Sequence, residues 1–334
     1  MAVTLRQIAE HANVSTPAVS LVLNGKGDKY AAATQRRIRR SAEALGYRPN
    51  ASARATRSGR FGAIGLITRR HIGTGQLNLT KGVIQGVGDL GMHMLQAEVD
   101  EEAIADDGVA PRLLRELCVD GLVVHYAHNI PDRFRRIVAD YGVPAVWVNT
   151  RGEHNCVYPD DLAGAQQATE RLLRAGRRSV AYLRQRAVNA PPRHGRHYSV
   201  ADREKGYALA MLDAGLTPRV LDPAAPHRWP DWLKAHQPID ALICYGPDEA
   251  TAVMHTAACA GMTPTDLPVC CFHHGDRLDG SFLQPTILPI PIGQAGRRAA
   301  AMVHQMLDAN QHTAASVALP YPDFSLPSNV SAAD

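Results

Sequence analysis

The sequence predicts an α/β chain in two unequal parts: an N-terminal three-helix helix-turn-helix module with a hinge helix, then a two-lobed core on two parallel sheets. Three observations predict it. Residues 1–60 hold 11 Lys/Arg against 3 Asp/Glu, a net of +8, while residues 61–334 hold 25 against 29, a net of −4. The first sixty residues carry short stretches of helical periodicity separated by turn residues. From Phe61 onward, apolar runs of strand length alternate with segments of helix length, the βαβ rhythm of parallel sheets covered on both faces.

The module reads as three helices. Thr4 and Gln7 have capping-box spacing, and Leu5, Ile8 and Ala9 form an apolar stripe. Ala12-Asn13-Val14 makes a tight turn in which Asn13 takes the left-handed conformation. Ser15 or Thr16 caps a second helix with Val19, Val22 and Leu23, stopped by Asn24-Gly25. Pro17 falls at its first or second position, where a missing N–H costs the helix little. A third helix over 34–45 buries Ile38, Ala42 and Leu45, with Arg36, Arg37, Arg39 and Arg40 largely off that face, and ends at Gly46. None of the three buries its stripe alone, so they pack on one another.

In the core, strands are expected over 62–67, 93–99, 121–126, 144–149, 180–183, 241–245 and 269–272. Helices are expected over 77–90, 111–117, 132–141, 162–175, 204–214 and 249–260. The strands fall into groups of about four and three, which implies two sheets with a cleft between them. The apolar runs are too short for a membrane span, and no basic region leads into an apolar one at the start, so the expected location is cytoplasmic. The six cysteines include adjacent Cys270 and Cys271 but no C-x-x-C, which predicts neither disulfides nor a zinc site. The H-x-x-H pairs His125/His128 and His194/His197 lack the glutamate of a metalloprotease helix, and no G-x-S-x-G, P-loop or dinucleotide fingerprint is present. No catalysis, cofactor or metal is therefore expected. The concentrated basic charge is the footprint of a polyanion partner, or else a merely solvated surface.

A helix, a tight turn with Asn, and a second helix opening on small polar residues are the parts of a DNA-reading helix-turn-helix. The strings VTLRQIAEHANVSTPAVSLVLNGKG, TQRRIRRSAEALGYRPNASARATRSGR and IGLI resemble the lactose-repressor (LacI/GalR) family of bacterial regulators. VDGLVVHY, GVPAVWVNT, VYPDDLAGAQQATERLLRAGRRSVAYL, ADREKGYALAMLDAGL, ALICYGPDEATAVM and PTILPIPIGQAGRRAA extend the likeness over nearly the whole chain. The resemblance implies a DNA-binding domain at 1–47, a hinge at 48–60, and a periplasmic-binding-protein-like effector and dimerisation core at 61–334. Crossovers near Pro159, Pro289 and Pro320 would divide that core into lobe one (61–158 and 290–319) and lobe two (162–288 and 321–334).

By position in the family motif, Thr16, Pro17 and Leu21 would read base edges, with Thr4, Ser15, Ser20, Asn24 and Lys26 near the phosphates. The arginine usual near the third position is missing, so A·T-leaning contacts are expected; alternatively Leu21 only packs. In the hinge, Asn50 caps, Ala53 keeps the helix slim, and Arg54 and Arg57 supply charge. Thr56 stands where the family has a wedging leucine, which predicts either a weaker kink in the DNA or reliance on minor-groove arginine in place of an apolar wedge.

The effector set implied by the resemblance is Arg69, Arg70, His71, Tyr126, Asn149, Asp161, Arg203, Asp248 and His273. Pro247 replaces the usual Asn beside Asp248, and His273-His274 replaces a common acidic pair. A cleft that gains basic groups and loses carboxylates suits an anionic carbohydrate, unless these groups face solvent or a subunit interface. The two histidines are also expected to titrate between pH 5 and 8. The function implied is a homodimeric, ligand-responsive repressor of carbohydrate genes that binds double-stranded operator DNA. A solute-binding protein of the same core fold would need an export signal and no basic module, and an architectural DNA-binding protein would not need the core.

Overall fold

The computed structural model describes residues 3–48, 55, 59–69, 74–99, 118–125, 132–186, 196–225, 228–278 and 280–326. Two compact units divide at Phe61/Gly62.

The first unit holds α1 (Leu5–Ala12), α2 (Thr16–Leu23) and α3 (Ala32–Ala44). The capping box at the head of α1 is formed: Gln7 N donates to Thr4 Oγ1, and Thr4 N donates to Gln7 Oε1. Asn13 closes α1 at φ 48° and ψ 57°, the left-handed geometry that a short polar side chain tolerates. Ser15 Oγ accepts from Ala18 N at the head of α2, and Pro17 occupies the first turn, where its absent N–H breaks no intrahelical bond. Ile8, Val19 and Ile38, one from each helix, lie fully buried at the centre of a core completed by Ala9, Ala12, Val22 and Ala42. Helices of eight residues do not hold in water by themselves, so this shared core is what keeps α1 and α2 formed.

The second unit contains two parallel sheets. The first comprises β1 (Ala63–Arg69), β2 (His93–Val99), β3 (Gly121–His125), β4 (Ala145–Val148), β5 (Cys156–Pro159) and β11 (Val317–Leu319), in the order β11-β5-β4-β3-β1-β2. The second comprises β6 (Val180–Leu183), β7 (Arg219–Leu221), β8 (Ala241–Cys244), β9 (Val269–His273) and β10 (Thr286–Pro289), in the order β10-β9-β8-β6-β7. In register, Ile64 of β1 faces Met94 of β2 on one side and Gly121 of β3 on the other. Central strands such as β4, β6 and β8 are buried along their whole length, as strands covered by helices on both faces must be.

The covering helices are α4 (Thr74–Asp89), α5 (Asp132–Asp140), α6 (Asp161–Arg174), α7 (Tyr198–Asp213), α8 (Trp229–Ala235), α9 (Pro247–Cys259) and α10 (Ile292–Ala309). The chain passes between the sheets three times: from β5 into α6, from β10 into α10, and after β11, where Tyr321 packs on Gly164 of α6. Because every strand runs parallel, the C-terminal ends of each sheet gather on one side, where ligands of open α/β sheets bind.

The sequence predicts seven strands and eleven are present among the described residues; β5, β7, β10 and β11 span only three or four residues and, unlike the equally short β4, β6 and β8, are not buried along their whole length. α8 and α10 also stand outside the expected set, and α7 begins six residues earlier than expected, at Tyr198. The helix expected over 111–117 lies outside the described residues. Among the described residues, no helix is long and apolar enough to cross a membrane, and no cluster of His, Cys, Asp or Glu could hold a metal ion.

α4 and α10 pack so closely that glycines replace side chains where they meet. A Cβ on Gly82 would run into the Gly293 carbonyl, and one on Gly86 would press on Arg297 and Ala300. Gly88 on the same helix faces open space. Gly82→Ala should therefore lower core stability by about 1–3 kcal/mol through overpacking. Gly88→Ala should raise it by about 0.5–1 kcal/mol through helix propensity. Urea-unfolding midpoints of the two variants check the contrast.

Candidate DNA-reading helix and effector cleft

The base-reading candidates lie on one short helix. Thr16 and Pro17 are exposed in the first turn of α2, and Ser20 and Leu21 are half-buried one turn on, while Ala18, Val19 and Val22 face the module core. Asn24 Nδ2 donates to the Ser20 carbonyl at 2.7 Å, and Lys26 N donates to the Leu21 carbonyl at 2.8 Å, so the C-terminal end of the helix is tied off while the Lys26 side chain stays exposed. Thr4 and Ser15 are spent in part as caps. Leu21 is thus half-buried and is not a member of the module core. The hinge candidates Asn50, Ala53, Arg54, Thr56 and Arg57 lie outside the described residues.

In the second unit, the strand ends bring several of the effector candidates together. Asp161 opens α6 directly after β5, and Arg203 projects from α7; they form a buried ion pair, Nε to Oδ1 at 2.6 Å, with Arg203 5% and Asp161 1% exposed. Tyr321 donates to the same carboxylate oxygen at 2.6 Å, and burial pushes its hydroxyl pKa up, so it remains a donor. The guanidinium lies 4.2 Å from the Phe272 ring centre and 4.8 Å from that of Tyr245, and donates to the Tyr245 carbonyl at 3.2 Å. Arg203 is therefore enclosed by aromatic faces and satisfied by protein groups.

From Tyr245 the network continues to the other sheet. The Tyr245 hydroxyl meets Ser199 Oγ at 2.9 Å, and Ser199 Oγ meets His197 Nδ1 at 2.7 Å. The Ser199 N–H also donates to Nδ1, which makes that nitrogen the acceptor and leaves Nε2 to donate to the Asn149 carbonyl at 2.8 Å. Asn149 follows β4 with φ 60°, a left-handed turn that aims its carbonyl at His197. Arg151 reaches Asp202 on α7 at 2.6 Å, and Asn78 of α4 donates to the His274 carbonyl at 2.5 Å. Three bridges thus join the elements of the two sheets around the cleft.

Of the other candidates, Arg69 ends β1, half-buried, and His273 ends β9, where its Nδ1 accepts from Gly275 N. Asp248 is exposed in the first turn of α9 and does not join the network; its neighbour Glu249 turns inward and accepts from Arg186 N at 2.8 Å. Arg70, His71 and Tyr126 lie outside the described residues. The expected titration of His274 between pH 5 and 8 is corrected: burial, with Arg203 nearby, lowers its pKa to about 3. Burial likewise brings His125 down to about 4, helped by His197 and Arg69. Both rings are neutral throughout that range.

Sequence reasoning missed Tyr245, Ser199, Tyr321, Arg151 and Asn78. Their roles depend on contacts between segments far apart in the chain. In the sequence His197 stands out only as half of an H-x-x-H pair; a usable local signal is its place immediately before a helix, where it serves as N-cap to Ser199.

The family of bacterial regulatory proteins of the lacI type matches residues 4–50, and a periplasmic binding protein-like domain matches residues 169–323. The chain is 30% identical over 256 residues to the maltose regulon regulatory protein MalI of Escherichia coli (strain K12), covering 73% of this chain and 71% of that protein. It is 28% identical over 251 residues to the Escherichia coli transcriptional regulator RafR, covering 69% and 67%. In fold it is similar to the lac repressor dimer bound to operator and the anti-inducer ONPF, with a TM-score of 0.73 and 18% identity over 99% of this chain and 100% of that one. With a reading helix on a small basic module, a two-sheet core gathered around a cleft, and this degree of likeness, the chain belongs to the lacI family of bacterial regulatory proteins and is a ligand-responsive, DNA-binding transcriptional regulator.

Proposed function

We propose that the chain represses carbohydrate-utilisation genes in the cytoplasm, at the nucleoid, as a homodimer whose two α2 helices read the half-sites of a double-stranded operator. The observation that carries this reading is α2 itself, capped by Ser15, packed through Val19 and Val22, and exposing Thr16 and Pro17. Thr16 offers a hydroxyl and a methyl, whereas Pro17 and Leu21 offer only apolar surface, which favours thymine-rich half-sites. Pairing of two copies is supported by an apolar stripe on the core: Leu77 and Ile84, seven residues apart on α4, are 54% and 51% exposed, and Leu95 on the neighbouring edge strand β2 is 38% exposed. The domain limits expected from the sequence, 1–47, 48–60 and 61–334 with lobes at 61–158 and 290–319 and at 162–288 and 321–334, form part of this proposal.

The effector is a carbohydrate or derivative bearing a negative charge, taken up at the strand ends around Arg69, Asn149, Asp161, Arg203, Asp248 and His273, with Arg70, His71 and Tyr126 kept in the set on the sequence resemblance alone. With His125 and His274 neutral, recognition of its charge rests on guanidinium groups. A neutral sugar is the second reading, favoured by the pairing of Arg203 with Asp161 and of Arg151 with Asp202. Entry of either ligand acts on the bridges from Asn149 to His197 and from Arg151 to Asp202. The resulting change in closure reaches the DNA-binding domain through the hinge.

Leu21→Arg should create a guanine preference at one position of each half-site, with about 1–3 kcal/mol of discrimination. Binding-site selection on wild type and variant reads it, and an unchanged preference shows that Leu21 only packs. Calorimetry with a uronate and its neutral parent sugar should show the acid bound about tenfold tighter or more, since charge-assisted hydrogen bonds contribute about 1.5–3 kcal/mol. Tight binding of the neutral sugar alone establishes the second reading. Asp161→Ala should destabilise the core by about 3–5 kcal/mol, because it strands a buried guanidinium, and the double variant Asp161→Leu, Arg203→Met should recover most of that loss in denaturant unfolding.

A further inference from the structure

α2 (TPAVSLVL) contains no basic residue, although its unit carries 11 Lys/Arg. Four of those cations sit on α3, and they divide between two sides of that helix. Arg39 shares a side with Gln35, whose amide donates to the Gly27 and Tyr30 carbonyls and so closes the loop between α2 and α3. Arg36, Arg37 and Arg40 occupy the other side, along the wall of a shallow, solvent-open groove between α1 and α3. His11 of α1 and Ser41 of α3 meet across its floor at 3.0 Å, and Ala33 and Ala44 mark its ends, about 16 Å apart at 1.5 Å per residue.

All three arginines are exposed, and among the described residues none of them pairs with a carboxylate. Glu43, the one acid on α3, follows Arg39 by four residues and Arg40 by three, but it does not line the groove and forms no ion pair with either among the described residues. Cations held together along one helix side without compensating acids repel one another, a standing cost to the module that a polyanion removes. The groove is open to solvent, so phosphates can reach the guanidinium forks, which bind phosphate oxygens in bidentate fashion.

We infer that the α1–α3 groove is a second, sequence-independent contact surface, which holds the phosphate backbone of duplex DNA through Arg36, Arg37 and Arg40. The inference rests on the DNA-binding reading above but assigns a different face of the module. α2 selects the sequence with an apolar edge, and α3 supplies the electrostatic grip that α2 lacks.

The test uses the full-length chain and a fluorescent random-sequence duplex, with affinity measured over a range of salt concentrations. The triple variant Arg36→Gln, Arg37→Gln, Arg40→Gln, with thermal midpoint and helical circular dichroism checked against wild type, should flatten the slope of log affinity against log salt by about 2–3, at about 0.9 for each phosphate no longer neutralised. The corresponding triple Lys variant should keep the wild-type slope. Binding-site selection should return the same preferred sequence for wild type and Gln variant, since phosphate contacts carry no base information. An unchanged slope in the Gln variant, or a changed preferred sequence, overturns this inference while leaving the regulator reading intact. A wild-type chain without salt-dependent DNA binding overturns both.

Discussion

The core is organised around one buried ion pair. Arg203 and Asp161 lie in nearly complete burial, where each charge has lost its water and survives only because the other is at 2.6 Å. Coulomb attraction alone does not offset such desolvation. Further partners share the cost: the Tyr321 hydroxyl donates to the same carboxylate oxygen, the Tyr245 carbonyl accepts from the guanidinium, and the rings of Tyr245 and Phe272 enclose it, while among the described residues Asp161 Oδ2 is left without a hydrogen-bond partner. These partners come from β5 and α6, from α7, from the ends of β8 and β9, and from the segment after β11. One charge pair therefore fixes the relative placement of both sheets' strand ends and of two of the three crossings between them.

The same pair changes what the cleft can do. An arginine expected to clamp a ligand is already a structural member of the protein, and its hydrogen-bond chain runs on through Tyr245, Ser199 and His197 to the Asn149 carbonyl on the other sheet. A ligand that disturbs one member of such a chain alters the bonds of its neighbours, because each group donates or accepts in turn. The neutrality of His125 and His274 belongs to this picture. Imidazoles buried beside guanidinium groups stay unprotonated at every pH near neutrality and bring no positive charge to a ligand.

The DNA-binding unit rests on a different constraint, the small size of its core. Three short helices share a few fully buried side chains, so caps and turns carry an unusual share of the stability: Thr4 with Gln7, Asn13 in its left-handed turn, Ser15, and Pro17 in the first turn of α2. Pro17 is permissible because of where it stands, and its position leaves the reading edge nearly without polar groups. The cations gather on α3 instead.

Much of this was legible in the sequence. The caps, the turn and the helix limits of the first unit are local, set by residues within four positions of one another, and they fall where propensity and capping put them. The α/β rhythm of the core was legible for the same reason, as were the family motifs. Short strands that are only partly buried left no trace, and β5, β7, β10 and β11 became visible only as members of sheets. The sequence named Asp161 and Arg203 as separate candidates and could not show that they bond to each other. It placed His274 among groups that titrate near neutrality, although burial holds its pKa near 3. What the sequence by itself determined is the kind of protein this is, because capping, turn chemistry and periodicity act over a few residues. Which charges are paired, which rings stay neutral and which glycines lie under a neighbouring helix were decided by the tertiary structure, because desolvation and close packing depend on segments that meet only when the chain is folded.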